Sequence, residues 1–245
     1  MKVVGPIRPD GLERDRQIRI WLPRGYDASR AHRVLIMFDG QNVFDDHGSF
    51  AGGWHVHRAV DGLATAKRRP PVVVGIDHGY EHRIHELSPF PVQGSDGKLD
   101  TFLEWIAKSV IPLVGQHAHI AHGAVNTAIG GSSMGGLAAI YAHFRRPDLF
   151  GGAIAMSPSL WVGRGAIFDF VERQSTPMIS RVYLDCGRRE GRMIQLAERM
   201  AGHLRARGYG GKQFMWRPDP KGTHSESHWR RRAPKALRFM YREAG

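Results

Sequence analysis

Cysteine is nearly absent: Cys186 is the only one in 245 residues. An internal disulfide framework and a Cys-rich zinc site are therefore excluded. Long apolar runs are also missing. Leu113 to Phe144 carries no Asp, Glu, Lys or Arg, but His, Gly and Ser interrupt it throughout. It never reaches the roughly 18 consecutive apolar residues of a membrane span. The first residues, MKVVGPIRPDG, lack the apolar run of a signal peptide, so a soluble, cytoplasmic chain with no membrane partner is expected. Nor is hydrophobicity low: 42% of residues are hydrophobic and 24% charged, which excludes disorder as the main state. A chain of this length suits a single domain over residues 1–245.

Acidic residues are in deficit, 23 against 35 Lys and Arg, for a formal net charge of +12. Such a surplus raises nucleic acid or another polyanion as a partner. The basic residues are spread along the chain, however. The densest groups are Lys67-Arg68-Arg69 and Arg230-Arg231-Arg232. No helix-turn-helix, zinc finger or aromatic-interleaved RNA motif accompanies them, so nucleic acid is not the expected partner.

What is present is alternation. Gln17–Leu22 alternates in period two. Short, β-branched or apolar runs follow at Arg33–Asp39, Pro71–Asp77, Asn126–Gly131, Gly151–Met156, Ser180–Cys186 and Gly211–Arg217. Such runs imply strands buried on both faces of a parallel sheet. Between them lie helical patterns. Thr101–Val114 carries Phe102, Leu103, Ile106 and Val110 on one face, with Thr101 and Glu104 as a capping box and Pro112 as a kink or stop. Met134–Phe144 carries Leu137, Ile140, Tyr141 and Phe144, with Arg145, Arg146 and Pro147 marking its end. Arg189–Arg207 and Ser227–Tyr241 are also amphipathic. The expected fold is α/β, a mostly parallel sheet with helices on both faces.

One motif carries chemistry. The strand Asn126–Gly131 runs straight into Gly131-Ser132-Ser133-Met134-Gly135 and then a helix. Gly-x-Ser-x-Gly at a strand-to-helix corner lifts the serine off the sheet edge, and the flanking glycines let the backbone pass. Ser133 is the candidate nucleophile. A serine hydroxyl needs a histidine to take its proton and a carboxylate to orient that histidine. In this arrangement the chain order is Ser, acid, His. The acid should follow the strand Ser180–Cys186, as Asp185 or Glu190. The histidine should follow the last strand, as His224 in a loop or His228 inside the next helix; the loop position favours His224. One oxyanion N–H belongs to the residue after the nucleophile, Met134; the second comes from the loop after Arg33–Asp39.

These residues carry a family resemblance. Phe38-Asp39-Gly40-Gln41-Asn42-Val43-Phe44, Glu86-Leu87-Ser88-Pro89, Gly130-Gly131-Ser132-Ser133-Met134-Gly135-Gly136, Met156-Ser157-Pro158-Ser159-Leu160-Trp161 and Gly222-Thr223-His224-Ser225-Glu226-Ser227-His228-Trp229 resemble the esterase D-like, or putative esterase, branch of the α/β-hydrolases. That branch includes S-formylglutathione, feruloyl and enterochelin esterases and the mycolyltransferases. The likeness runs from about residue 17 to residue 243. It implies the α/β-hydrolase fold with a minimal lid. It also implies Glu190 as the acid, three residues past the Cys-Gly strand end, where most members carry Asp and some Glu; Asp185 remains the alternative. His224 falls at the family histidine. Gln41, the residue after Asp-Gly, falls at the second oxyanion donor. The implied reaction is hydrolysis of short-chain acyl, carbohydrate or aryl esters through an acyl-enzyme, with no cofactor. Two alternatives are acyl transfer by the same residues and a non-catalytic polyanion-binding protein on the same fold.

Weaker signals surround this core. Trp54 and Trp161 lie in loops expected at the carboxyl ends of strands, where they could wall a substrate pocket. Tyr80, Glu81 and His85 are candidates for its rim. His55 and His57, His78, His82 and His85, and His117, His119 and His122 lack a metal-ligand signature, and no metal is expected. Cys186 reads as a small buried apolar residue. Only Gly79–Leu99 and Trp161–Met178 are long enough to cover the site.

Overall fold

The structure is a computed structural model describing residues 1–49, 51–65 and 68–242. Lys67 of the first basic group, and residues 243–245 of the expected domain span, lie outside the described residues. In chain order the elements are β1 (Lys2–Ile7), β2 (Arg16–Trp21), β3 (Val34–Phe38), α1 (Gly40–Val43), α2 (Val56–Thr65), β4 (Val72–Ile76), α3 (Arg83–Glu86), α4 (Leu99–Trp105), α5 (Ile111–Gly115), β5 (Thr127–Ser132), α6 (Met134–Arg145), β6 (Gly152–Met156), α7 (Ala166–Arg173), β7 (Arg181–Gly187), α8 (Arg192–Ala206), β8 (Phe214–Asp219) and α9 (Glu226–Met240).

The strands form one sheet in the order β1-β2-β4-β3-β5-β6-β7-β8. β2 is antiparallel to β1 and β4, and every later pairing is parallel. This is the α/β-hydrolase fold. β3, β4, β5 and β6 are buried along their whole length, as their near-continuous apolar sequences require. Alternate residues feed two cores. Ile36, Val74 and Ile129 pack with α4 to α8 on one face. Leu35, Met37, Val73 and Tyr183 pack with α2 and α9 on the other. Parallel β3, β5, β6, β7 and β8 end on one edge of the sheet, so their following loops meet there.

β1 had no periodic signal. It is an edge strand, mostly exposed, interrupted by Gly5-Pro6, and defined by pairing with β2 rather than by burial. α2 and α7 were also unassigned. α2 buries Val56, Val60 and Leu63, and α7 buries Ile167, Phe168 and Val171. Much of the Trp161–Met178 segment is thus a core helix and not a free cover. The Gly79–Leu99 segment is tied down as well: Glu86 of α3 forms a buried ion pair with Arg16 of β2.

The capping box at Thr101 and Glu104 is not formed. The helix starts two residues earlier, because Leu99 is buried and joins the core. Glu104 instead pairs with Lys108 at 2.8 Å and Arg146 at 3.2 Å. Pro112 lies just after a π-helical turn, Ile106–Val110, which joins α4 to α5. Proline lacks the N–H and crowds the carbonyl four residues back, and a widened turn relieves both.

His143 of α6 is fully buried. Its Nδ1–H donates to Phe150 O at 2.9 Å, and its Nε2 meets Ser180 Oγ at 2.6 Å. Burial lowers its pKa to about 4. An unfolded histidine takes its proton near pH 6.5, whereas the folded one resists until about pH 4. The stability His143 contributes is therefore full above pH 6.5 and lost as pH falls toward 4. The shift corresponds to roughly 3 kcal/mol. In urea unfolding, the stability gap between wild type and His143→Gln is expected to shrink by up to that amount from pH 7 to pH 4. A pH-independent gap would contradict this reading.

Candidate active site

β5 delivers its last residue, Ser132, to the sheet edge, and Ser133 forms the corner before α6. Its backbone is at φ 56°, ψ −118°, a sparsely populated conformation for a residue with a Cβ. Neighbours hold it there: Ser133 N–H donates to Met156 O at 3.0 Å, and Ser159 N–H donates to Ser133 O at 2.9 Å. The corner needs its glycines. A Cβ on Gly131 would lie 2.8 Å from the backbone of Gly135. Ser133 Oγ faces His224 Nε2 at 3.0 Å and Ser159 Oγ at 3.2 Å.

His224 comes from the loop between β8 and α9. Its Nδ1 lies 2.8 Å from Glu190 Oε2. A carboxylate only accepts, so Nδ1 carries the hydrogen, and the neutral ring leaves Nε2 free to accept the hydroxyl hydrogen of Ser133. Trp229 packs edge-on against the His224 ring, centroids 4.9 Å apart. His228 also has a place. It sits one turn into α9, where its Nδ1 accepts the N–H of Thr223 at 2.6 Å, immediately before His224.

Glu190 lies in the turn after β7, its side chain fully shielded from solvent. Its Oε1 accepts from Gly187 N–H at 2.7 Å and from the Ser157 hydroxyl at 2.8 Å. Burial alone would raise its pKa. The bonds from His224, Ser157 and Gly187 outweigh burial and hold it below the usual carboxylate range. Gly187 is required here: a Cβ would lie 2.3 Å from Gly222, where the Glu190 and His224 loops cross.

Sequence reasoning missed the support behind Glu190. Ser157, at the end of β6, donates to Glu190 and accepts from Trp229 Nε1 at 3.0 Å and Arg232 Nη2 at 2.9 Å. One donor and two acceptor positions are thus all used. Arg232 is buried, with Nη1 3.3 Å from Asp185 Oδ1 and Nη2 3.7 Å from Glu190 Oε1. In the sequence it stands beside Arg230 and Arg231 in one of the densest basic groups. The helix separates them: Arg230 pairs with Asp46 and Arg231 with Asp219.

Asp185, the alternative acid, does not contact His224. Its carboxylate accepts from Tyr183 OH at 3.0 Å and faces Arg232 on the α9 side of the sheet. Burial raises its pKa to about 7, against the pull of Arg232 and Tyr183. Burial also pushes the Cys186 thiol up, away from the nucleophilic thiolate.

Met134 and Gln41 are first-turn residues of α6 and α1, positions whose N–H groups a helix leaves without an internal partner. Among the described residues, no backbone acceptor takes either N–H. β3 and β5 are adjacent and parallel, in register at Met37 and Gly130, so the two helices start side by side. A Cβ on Gly135 would lie 3.3 Å from Asp39 Oδ2. Asp39, in left-handed backbone before α1, is clamped by Arg83 at 2.5 and 2.8 Å. Gln41 Oε1 accepts from His78 N–H at 3.0 Å. No sequence signal linked Arg83 to Asp39, 44 residues away.

The two tryptophans differ. Trp54 is only 5% exposed and packs on Trp229, centroids 5.5 Å apart, as core behind the His224 ring and not as an open pocket wall. Trp161 is 50% exposed, two residues beyond Ser159. Tyr80 is exposed, and Glu81 is tied to Arg14. His55 bonds Asp46 and His82 bonds Glu13. Among the described residues, no three His, Cys, Asp or Glu side chains gather as metal ligands, and no helix is long and apolar enough to cross a membrane.

The fold and this corner define an α/β-hydrolase. The family described as "Putative esterase" matches residues 10–240, and the chain belongs to this family of carboxylic-ester hydrolases. It is 27% identical to an iron(III) enterobactin esterase of Escherichia coli O6:H1 over 222 residues, 86% of this chain and 50% of that protein. The chain thus spans about half the length of that relative. An enterobactin esterase structure from Shigella flexneri superposes with a TM-score of 0.78 at 23% identity, covering 98% of this chain and 59% of that one. A ferulic acid esterase structure superposes at 0.76 with 19% identity, covering 98% of both chains.

Proposed function

We propose that this protein hydrolyses small carboxylic esters through a Ser133–His224–Glu190 triad and an acyl-enzyme. The observation that carries the reading is the His224 ring, 3.0 Å from Ser133 Oγ and 2.8 Å from Glu190. Ser133 Oγ attacks the ester carbonyl carbon as His224 Nε2 takes its proton. Glu190 holds the ring and stabilises the imidazolium. The N–H groups of Met134 and Gln41 bind the oxyanion. The tetrahedral intermediate expels the alcohol, which receives the proton from His224. Water, deprotonated by His224, then attacks the acyl-enzyme and releases the acid.

For the substrate, we propose compact aryl and hydroxy-acid esters. Relatives named for enterobactin and ferulic acid support this class. So does Trp161, an exposed aromatic beside the Ser133 corner on which a planar acyl or leaving group could stack. The experiment is an ester panel covering feruloyl esters, aryl-capped serine lactones, sugar acetates and S-acyl glutathione, with product analysis in added alcohol. Release of free acid from the aryl esters is expected. Preferential turnover of S-acyl glutathione would overturn the substrate class. Transfer of the acyl group to the alcohol in place of release would overturn hydrolysis.

Gln41 offers a sharper test of the oxyanion assignment. Gln41→Pro removes its backbone N–H at a first-turn position where a helix tolerates proline. kcat is expected to fall about 100- to 1000-fold. Gln41→Ala keeps the N–H and loses only the side-chain bond to His78, and should lose far less. Equal losses would place the role in the side chain.

A further inference from the structure

The segment Met156-Ser157-Pro158-Ser159-Leu160-Trp161 leaves the end of β6 and passes the Ser133 corner. Its first serine, Ser157, holds Glu190. Its second, Ser159, is only 2% exposed, and the triad makes no use of its hydroxyl. Main-chain bonds fix its place. Ser157 N–H donates to Asp185 O at 2.9 Å, Ser159 N–H to Ser133 O at 2.9 Å, and Val162 N–H to Ser159 O at 3.3 Å. A Cβ on Gly136, in the first turn of α6, would lie 3.1 Å from Pro158 Cα. Ser159 is thus pressed against the nucleophile's corner by backbone and packing, independently of its own side chain.

The direction of each hydrogen follows from the neighbours. Glu190 only accepts, so His224 carries its hydrogen on Nδ1 and accepts at Nε2. The single hydrogen of Ser133 goes to that Nε2, 3.0 Å away. Ser133 Oγ then has only lone pairs to offer Ser159 Oγ, 3.2 Å away, so Ser159 is the donor. Among the described residues this is the one hydrogen bond that the Ser159 hydroxyl makes.

We propose that Ser159 is a further catalytic residue, whose hydroxyl assists the departure of Ser133 Oγ from the acyl-enzyme. The proposal rests on the triad reading above. In the acyl-enzyme, Ser133 Oγ is an ester oxygen, a poor acceptor because its lone pair is delocalised into the carbonyl. In deacylation, His224 Nε2 takes a proton from water as the water oxygen adds to the acyl carbon. The tetrahedral intermediate then breaks its C–Oγ bond. The electron pair returns to Oγ, the imidazolium gives Oγ the proton, and the acid leaves. Oγ gains negative charge in that step, and the Ser159 O–H is already aimed at it. The bond is weak in the acyl-enzyme and strong in the transition state, which is the condition for acceleration. Acylation differs. It starts from the free Ser133 hydroxyl, which already holds the bond, so Ser159 changes that barrier little.

The experiment is a single turnover of 4-nitrophenyl acetate by excess full-length enzyme, wild type against Ser159→Ala. Nitrophenolate release reports acylation. Acid quench and mass spectrometry of the Ser133 peptide report loss of the acetyl group. In the variant, release is expected to stay within about threefold of wild type, while acetyl loss slows about 10- to 100-fold. In the steady state kcat and KM should fall together, leaving kcat/KM nearly constant. If alanine lowers the melting temperature, Ser159→Cys gives the reading: its thiol is a weaker donor of similar size, and acetyl loss should again slow more than release. Unchanged acetyl loss overturns the role of Ser159, and so does equal slowing of both phases, the mark of a displaced Ser133. Wild type that carries no acetyl group on Ser133 would instead refute the triad itself.

Discussion

Ser133→Ala is expected to lower kcat/KM for a chromogenic aryl ester by about 10⁴- to 10⁶-fold, leaving the melting temperature within about 2 °C of wild type. The activity loss corresponds to roughly 5–8 kcal/mol of transition-state stabilisation. It is large because the hydroxyl makes the new covalent bond, and nothing nearby replaces it. Ser159 Oγ, 3.2 Å away, has no base of its own in contact among the described residues. Stability should hold because alanine and serine share the backbone cost at φ 56°. The bonds that pin the corner run through main-chain atoms of residue 133. Steady-state kinetics with thermal melting distinguishes the outcomes. Retained turnover with an intact fold would remove Ser133 from the mechanism.

Arg232→Met is expected to destabilise the protein by about 3–5 kcal/mol, a drop in melting temperature on the order of 10 °C for a chain of this size. The guanidinium is the buried positive charge that faces both Asp185 and Glu190. Methionine fills similar space but leaves two buried carboxylates with no cation. It also frees Ser157, which holds one Glu190 oxygen. kcat should therefore fall along with stability.

The pH dependence has a definite sign. Asp185 is already raised to about 7, so without Arg232 it folds only as the neutral acid. The unfolded chain ionises it near pH 4. The variant then gains stability as pH falls, and its deficit should be smaller at pH 5 than at pH 8. A deficit below about 1 kcal/mol, or one that grows toward acid, would mean that Arg232 is not the counter-ion of this pair.

Much of the frame was legible because it rests on local chemistry. The runs at Val34–Phe38 and Val72–Ile76 are apolar at every position, which only a doubly covered strand uses. The Ser133 corner announces itself by glycines between a strand and an amphipathic helix. His224 followed from its place after the last strand. The expectation that Glu190 rather than Asp185 meets His224 came from the family resemblance, since both lie near one strand end. Asp185 follows the pleat of β7 toward α9, and Glu190 follows the turn toward the sheet edge.

What stayed hidden depends on phase and on distant partners. In Arg230-Arg231-Arg232, each residue turns about 100° around α9. Two arginines reach surface acids, while the third points inward with Trp229 to the Glu190 support. A count of adjacent charges cannot see that rotation. Ser157 carries no motif beyond its segment, yet it joins Glu190, Trp229 and Arg232 because β6 ends between them. Thr101 failed as a cap for a similar reason: burial of Leu99, a tertiary effect, moved the start of the helix.

The most direct test of the mechanism is peptide-resolved mass spectrometry after treatment with a fluorophosphonate probe. One phosphonyl adduct per chain is expected, on Ser133, and it should be lost or greatly slowed in His224→Ala. Labelling at another residue, or unchanged labelling of Ser133 without the imidazole, would contradict it.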